Sequence, residues 1–227
     1  MKDGFRILTD LSKVPAGSNC ALLIRHGDRN GALAKVVKEQ EGLNEIGAKR
    51  SKQFGKMLTR FSDLIAYSSP VGRCVDTCRN ISKGFGKEVE VESTKFLGMS
   101  APFMVDPPAA YVKMHELGLL GFVDAYVSNS LDRKIVLPCS EGTKMLFSYA
   151  IERIKNMSCG VGVFVTHDMI LTPTLAYFFD YDFKTNGLLT FLDGIVLFED
   201  GDGFTASYGG HSVRVMDDGA VLTEEIS

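Results

Sequence analysis

The apolar run Cys20-Ala21-Leu22-Leu23-Ile24 stops abruptly at Arg25-His26-Gly27-Asp28-Arg29. A short apolar run without polar alternation reads as a strand buried on both faces. Its end delivers two guanidiniums and an imidazole to the carboxyl edge of an α/β sheet, where such sheets bind ligands. Two guanidiniums a few residues apart favour a phosphate, because each can give it two parallel hydrogen bonds. A histidine between them is placed to attack phosphorus as well as to bind it.

Two later segments repeat the pattern. Val161-Gly162-Val163-Phe164-Val165-Thr166 is a second apolar strand, ending in His167 with Asp168 beside it. Leu64-Ile65-Ala66-Tyr67-Ser68 is a third, leading through Ser69-Pro70 to Arg73. Between these strands the sequence alternates with helices. Residues 44–60 place Ile46, Phe54, Met57, Leu58 and Phe61 at helical spacing, with Asn44 as a cap. Pro70 suits the first turn of a helix reaching about residue 83. Residues 140–157 and 169–179 read as further helices and 88–92 as a short strand. Residues 188–198, 204–208 and 213–216 look like closing strands, with Asp200-Gly201-Asp202-Gly203 as a tight turn. The stretch 94–138 breaks the rhythm with Pro102, Pro107 and Pro108, then helices near 109–117 and 120–128. It reads as an insertion over the strand ends, a candidate lid.

The quoted motifs resemble the histidine phosphatase superfamily, which includes phosphoglycerate mutases and histidine acid phosphatases. They are Arg25-His26-Gly27-Asp28-Arg29, Ser68-Ser69-Pro70-x-x-Arg73-Cys74-x-x-Thr77 and Thr166-His167-Asp168. The order and spacing match from Ala21 to about Phe179. Arg29 and the His-Asp pair look like the acid phosphatase and phytase branch, although Gly31 stands where that branch usually has proline. The short length and Ser-Ser-Pro look like the mutase branch. That branch takes its acid from a glutamate after the third strand, and residues 96–105 contain none, which points to Asp168 as the acid.

The resemblance implies an α/β fold, a three-layer α/β/α sandwich with a mostly parallel central sheet, as one domain spanning 1–227. It implies that His26 forms a phosphohistidine, that Arg25, Arg29, Arg73 and His167 hold the phosphoryl oxygens, and that Asp168 protonates the leaving oxygen. Gly27 would let the backbone bend close to the phosphate. The expected activity is metal-independent hydrolysis of a small phosphomonoester, with no cofactor. A phosphomutase and a non-catalytic module that binds phosphorylated ligands remain alternatives.

Composition narrows the partners. A formal charge of −3 with no basic stripe argues against nucleic acid. No apolar stretch approaches the roughly 20 residues that span a membrane. The first fifteen residues, with Lys2, Asp3, Arg6 and Asp10, lack the apolar core of a signal peptide. Five cysteines without regular spacing do not make a disulfide framework, so a reducing cytoplasm is expected. Cys74 and Cys78 would share a helix face, where core packing is preferred over a metal or redox pair. His115 is expected to be an exposed helical residue and His211 a loop residue. Ser68 and Thr166, at strand ends, are candidates either for the pocket or for backbone capping.

Overall fold

The computed structural model describes residues 5–30, 41–101 and 103–222. Lys2, Asp3, Gly31 and Pro102 therefore lie outside the described residues. In chain order the elements are α1 (Ile7–Leu11), β1 (Cys20–Arg25), α2 (Glu45–Lys56), β2 (Asp63–Ser68), α3 (Gly72–Phe85) and β3 (Val91–Ser93). They continue with α4 (Pro107–Val127), α5 (Cys139–Ile154), β4 (Gly160–Thr166), α6 (Asp168–Phe178) and α7 (Phe183–Asn186). The chain closes on β5 (Gly194–Asp200), β6 (Gly203–Tyr208), β7 (His211–Val215) and β8 (Val221–Leu222).

The strands form one sheet in the order β3-β2-β4-β1-β5-β6-β7-β8. The first four strands are mutually parallel, and from β5 onward every pairing is antiparallel. The sheet is therefore mixed, which corrects the expectation of a mostly parallel one. The cause is local. Gly201 at φ 66° turns β5 into β6, and Gly209 and Gly210 at φ 59° and 93° turn β6 into β7. Turns this tight can only join antiparallel neighbours.

Strand residues alternate between two buried clusters. Cys20, Leu22 and Ile24 of β1 pack with Ile7, Phe54 and Ile81 from α1, α2 and α3. Ala21 and Leu23 pack with Phe122, Phe147 and Leu171 from α4, α5 and α6. Covered on both sides, β1 and β4 need no polar face, and both are apolar up to their final residues, Arg25 and Thr166. Cys74 and Cys78 are buried in the first cluster, as core residues.

Local chemistry sets the helix boundaries. The Asn44 side chain accepts a hydrogen bond from the Gly47 amide at 2.7 Å, starting α2. Pro70 falls two residues before α3, where Val71 is still extended, so the helix begins later than Pro70 suggests. Asp106 caps α4 through the Ala109 amide at 3.0 Å. Gly118, at φ 70° and ψ 167°, breaks α4 into two pieces, near the break expected between residues 117 and 120. His211 opens β7 and is exposed, so it belongs to a strand and not a loop. No helix among the described residues is long and apolar enough to cross a membrane.

Helices α2 and α3 approach closely through two glycines. A Cβ at Gly55 would drive into the Ile81 carbonyl oxygen, and one at Gly84 into that of Lys52. Gly55→Ala and Gly84→Ala should each destabilise the protein by about 1–3 kcal/mol, because the helices must separate. Urea unfolding measures this, and an unchanged midpoint for both variants would refute the close-approach account.

Candidate active site

Register brings three strand ends level. Arg25 of β1 lies opposite Thr166 of β4, and Ser68 of β2 opposite Val165. The ladder then runs one step further: the His26 amide donates to the Thr166 carbonyl at 3.0 Å and the Ser69 amide to the Val165 carbonyl at 2.9 Å. His26, Ser69 and His167 thus leave adjacent strands at the same height. The His26 and His167 rings meet edge to face, with centroids 5.6 Å apart.

His26 is buried, and its Nδ1 lies 2.8 Å from the Gly27 carbonyl oxygen. A carbonyl only accepts, so Nδ1 carries the proton and Nε2 the lone pair. Arg73, in the first turn of α3, donates from Nε to that Nε2 at 2.9 Å. Its Nη2 lies 3.4 Å from His167 Nδ1. The opposite nitrogen, His167 Nε2, is 2.9 Å from Ser69 Oγ, so it carries the proton and donates to the hydroxyl. Burial, with the neighbouring His167 and arginines, drives the His26 pKa down to about 2 against the opposing Gly27 contact. Burial and Arg73, Arg25 and Arg29 drive that of His167 down to about 3. Both rings are neutral across the physiological range.

Arg25 is held from several sides. Its Nη2 pairs with Asp168 Oδ2 at 2.7 Å, and Nη1 donates to the Leu189 carbonyl. Its guanidinium carbon lies 4.2 Å from the centroid of the Phe191 ring. The backbone joins in: the Arg25 amide donates to the Asp193 carbonyl at 3.0 Å and the Leu192 amide to the Arg25 carbonyl at 3.1 Å. Leu192 takes a left-handed conformation, φ 57°, to make that turn. Burial lowers the pKa of Arg25 and of Arg73, with Arg29 adding repulsion in both cases. Arg29 therefore belongs to the same electrostatic cluster. Arg25 Nε and Arg73 Nη1 are buried and have no hydrogen-bond partner among the described residues. A buried donor left unpaired costs about 1–3 kcal/mol, so each arginine retains an N–H able to donate to a ligand atom.

Of the six residues singled out from the sequence, Arg73 contacts both rings and Arg25 pairs with Asp168, while Arg29 joins them through its charge. Asp168 sits at the start of α6, where its Oδ1 also accepts from the Met169 amide at 2.8 Å. His167 is the N-cap residue of α6 and no side chain caps the helix, so Asp168 does not fill the capping role, while its carboxylate faces Arg25. Gly27 also answers a packing demand. A Cβ there would meet Ser51 Oγ at 2.8 Å and the Gly47 carbonyl at 3.3 Å, so the glycine admits α2 against the loop. Thr166 Oγ1 donates to the Leu97 carbonyl at 2.7 Å, a backbone role. Ser68 Oγ lies 3.5 Å from Ser93 Oγ.

Four supporting residues had no role assigned from the sequence. Ser69 orients His167. Thr77 accepts from the Gly27 amide at 2.9 Å and returns its own proton to the Arg73 carbonyl at 2.7 Å, tying the histidine loop to α3. Both lie in the quoted motif, which carried the signal. Leu189 and Phe191 lie in the expected strand 188–198, which starts only at Gly194, and nothing in their apolar side chains marks an arginine clamp. His115 is exposed, with its ring against Tyr111. A cleft of about 330 Å³ opens from Arg73 and His167 toward Lys95, Met99, Ser100 and Tyr111. The candidate lid segment thus lines the cleft's far side.

Residues 21–95 match the model of the histidine phosphatase superfamily, branch 1. Arg25, His26, Arg29 and Arg73 fall within the match, while His167 and Asp168 lie beyond it. Solved structures share the fold. The Bacillus stearothermophilus protein YhfR is 16% identical, covering 85% of this chain and 96% of its own, with a TM-score of 0.54. A phosphoglycerate mutase from Bacillus anthracis is 17% identical, covering 93% of each chain, with a TM-score of 0.51. A phosphoserine phosphatase from Entamoeba histolytica, in complex with phosphoserine, is 13% identical, covering 86% of this chain and 94% of its own, with a TM-score of 0.50. No curated protein sequence matches.

The neutral histidines generate a pH test. Their folded pKa values of about 2 and about 3 lie below the ordinary 6.5. Below pH 6.5 the unfolded chain binds protons that the folded chain refuses. Their contribution is complete above that pH and shrinks as pH falls toward the folded values. The denaturation midpoint should fall between about pH 7 and pH 5, and fall less steeply in a His26→Gln/His167→Gln double variant. An identical pH slope in the double variant would contradict neutral burial.

Proposed function

We propose that the protein is a metal-independent phosphatase that hydrolyses small phosphomonoesters through a phosphohistidine on His26. The observation that carries this reading is the His26 ring itself. Its Nδ1–H is locked on the Gly27 carbonyl, and its Nε2 lone pair points toward a buried arginine with an unpartnered N–H. A neutral imidazole fixed in that tautomer is a ready nucleophile without a separate base.

The steps follow from the geometry. A phosphoryl group seated on Arg25, Arg29 and Arg73, with His167 turning its Nε2–H from Ser69 onto a phosphoryl oxygen as a fourth donor, draws the Arg73 donor onto its oxygens and frees the His26 Nε2. That Nε2 then attacks phosphorus as the P–O bond to the leaving group breaks. The ring becomes cationic, and the Gly27 carbonyl stabilises the remaining Nδ1–H. The incoming phosphoryl group competes with Asp168 for Arg25; the freed carboxylate takes up a proton, from solvent or from the hydroxyl of a monoanionic ester, and passes it to the leaving oxygen. In the second half, Asp168 takes a proton from water, water attacks phosphorus, and the P–N bond breaks. Phosphate leaves and His26 is again neutral.

The open cleft favours water over a second substrate site as the acceptor. Tyr111 at its mouth is 63% exposed, whereas a mutase must exclude water during transfer. The intact nucleophile, arginines and carboxylate argue against a purely binding role. We place this activity on a three-layer α/β/α sandwich, with residues 94–138 as a lid over the cleft. We assign it to the cytoplasm, where the five free cysteines would stay reduced.

His26→Ala should abolish turnover while the fold persists, and rapid-quench mass spectrometry should find phosphate on His26 in the parent protein. Activity should survive a metal chelator. Normal turnover by the alanine variant would remove His26 as nucleophile.

Asp168→Asn separates the acid from the anion site. An alkyl phosphate leaves as a strongly basic alkoxide and should lose roughly 10²–10⁴-fold in single-turnover phosphorylation of His26. A nitrophenyl phosphate leaves as a weak base and should lose distinctly less. Equal losses for the two esters would assign the proton to another group.

A further inference from the structure

We propose that the cleft beside the phosphoryl site recognises a second anionic group on the substrate, and that Lys95 is the residue that reads it. The inference rests on the phosphatase reading only in taking the Arg73 end of the cleft as the phosphoryl end. A phosphate held there directs the rest of its molecule along the cleft toward Lys95, Ser100 and Tyr111.

Charge decides what the far end prefers. The described residues lining the cleft include two cations, Arg73 and Lys95, and no carboxylate. The one other titratable ring at its inner end, His167, is held neutral by burial. A substrate amine would meet only repulsion, whereas a carboxylate or second phosphate finds a counter-ion. Lys95 is also available for this role. Lys95 has neither an ion pair nor a side-chain hydrogen bond among the described residues. Several other lysines, Lys49, Lys52, Lys83 and Lys155 among them, are likewise without a side-chain partner among the described residues, but of the lysines only Lys95 lines the cleft.

Its position is fixed although its side chain is exposed. Lys95 opens a 3₁₀ turn, Lys95–Leu97, capped by the Thr94 side chain. The Thr94 amide donates to the Ser68 carbonyl at 2.8 Å, and the Leu97 carbonyl accepts from Thr166 Oγ1 at 2.7 Å. The turn is thus fastened to the ends of β2 and β4, the strands that also deliver Ser69 and His167. Distance from Lys95 to the phosphoryl site is set by the sheet and not by a loose loop. The cleft's size, about 330 Å³, lies at the small end of ligand pockets. It suits a metabolite-sized bis-anion and not a long polymer.

The test uses alkyl phosphates of increasing length that end in a methyl, an amine, a carboxylate or a phosphate group. The carboxylate and phosphate arms distinguish the two sources of the second charge. The parent protein should prefer an anion-terminated ester at one chain length, in kcat/KM. Lys95→Met should reduce that preference ratio by about tenfold, the scale of a partly exposed charge-assisted contact, and Lys95→Arg should restore it. Calorimetric titration with the matching alkyl phosphonates reads the same preference without turnover. If no ester is turned over but the phosphonates keep a Lys95-dependent preference, the phosphatase reading fails and the subsite stands. Equal handling of methyl and anionic termini, a preference for the amine, or a ratio unmoved by Lys95→Met would overturn the proposal.

Discussion

The parallel, in-register pairing of β1, β4 and β2 is the constraint on which the site depends. These strands lie at the centre of the sheet, and the hydrogen bonds between them fix their relative height residue by residue. A slip of one residue would exchange the two faces of a strand and bury a guanidinium in a core cluster. The apolar alternation between two clusters forbids that slip, so the register is enforced by the whole interior. His26, Ser69 and His167 then arrive together as a consequence of packing, with no flexible segment between strand and side chain.

What burial does to charge follows from that placement. Two imidazoles and the guanidiniums of Arg25 and Arg73 occupy one dry end of the sheet, and only Asp168 is ion-paired with them among the described residues. The imidazoles respond by staying neutral. The arginines cannot shed their protons, so they remain as preorganised positive charge with donors unmet. Buried donors without partners are costly to a fold, so the arrangement is tolerated only because the surrounding packing holds it, and under the proposed function it is the charge that would receive a phosphoryl group.

Much of this was legible in the sequence because the strands are apolar up to their final residues and the chemistry begins there. The ends of β1 and β2 and the six charged or imidazole side chains follow from that contrast, while the break at Gly118 was legible separately, as a gap between two helical stretches. Interactions that depend on tertiary approach were not legible. Gly27 reads as a flexible residue and gives no sign that it also admits α2, and Gly55 and Gly84 carry no local mark of the helices they bring together. The antiparallel half of the sheet was visible as strands but not as a change of direction, because hairpin turns announce themselves only through glycines that sequence alone leaves ambiguous. Phe191 and Leu189 were read as strand interior. Their work on Arg25 comes from the Leu192 turn, and a leucine gives no warning of a left-handed backbone.

The clamp on Arg25 also has a consequence for how the protein comes into being. Arg25 and Leu189 are separated by 164 residues, so the contact closes nearly the whole chain into a loop. Closing a loop of that span carries a large entropic cost, met only once intervening structure has shortened it. During synthesis the histidine of the first strand emerges early, but the second histidine, the carboxylate and the arginine clamp emerge in the last third. A chain made only as far as α5 therefore holds His26 without His167, Asp168 and the contacts that Leu189 and Phe191 make to Arg25. The cluster is complete only once β5 has docked beside β1, strands far apart in sequence and neighbours in the sheet.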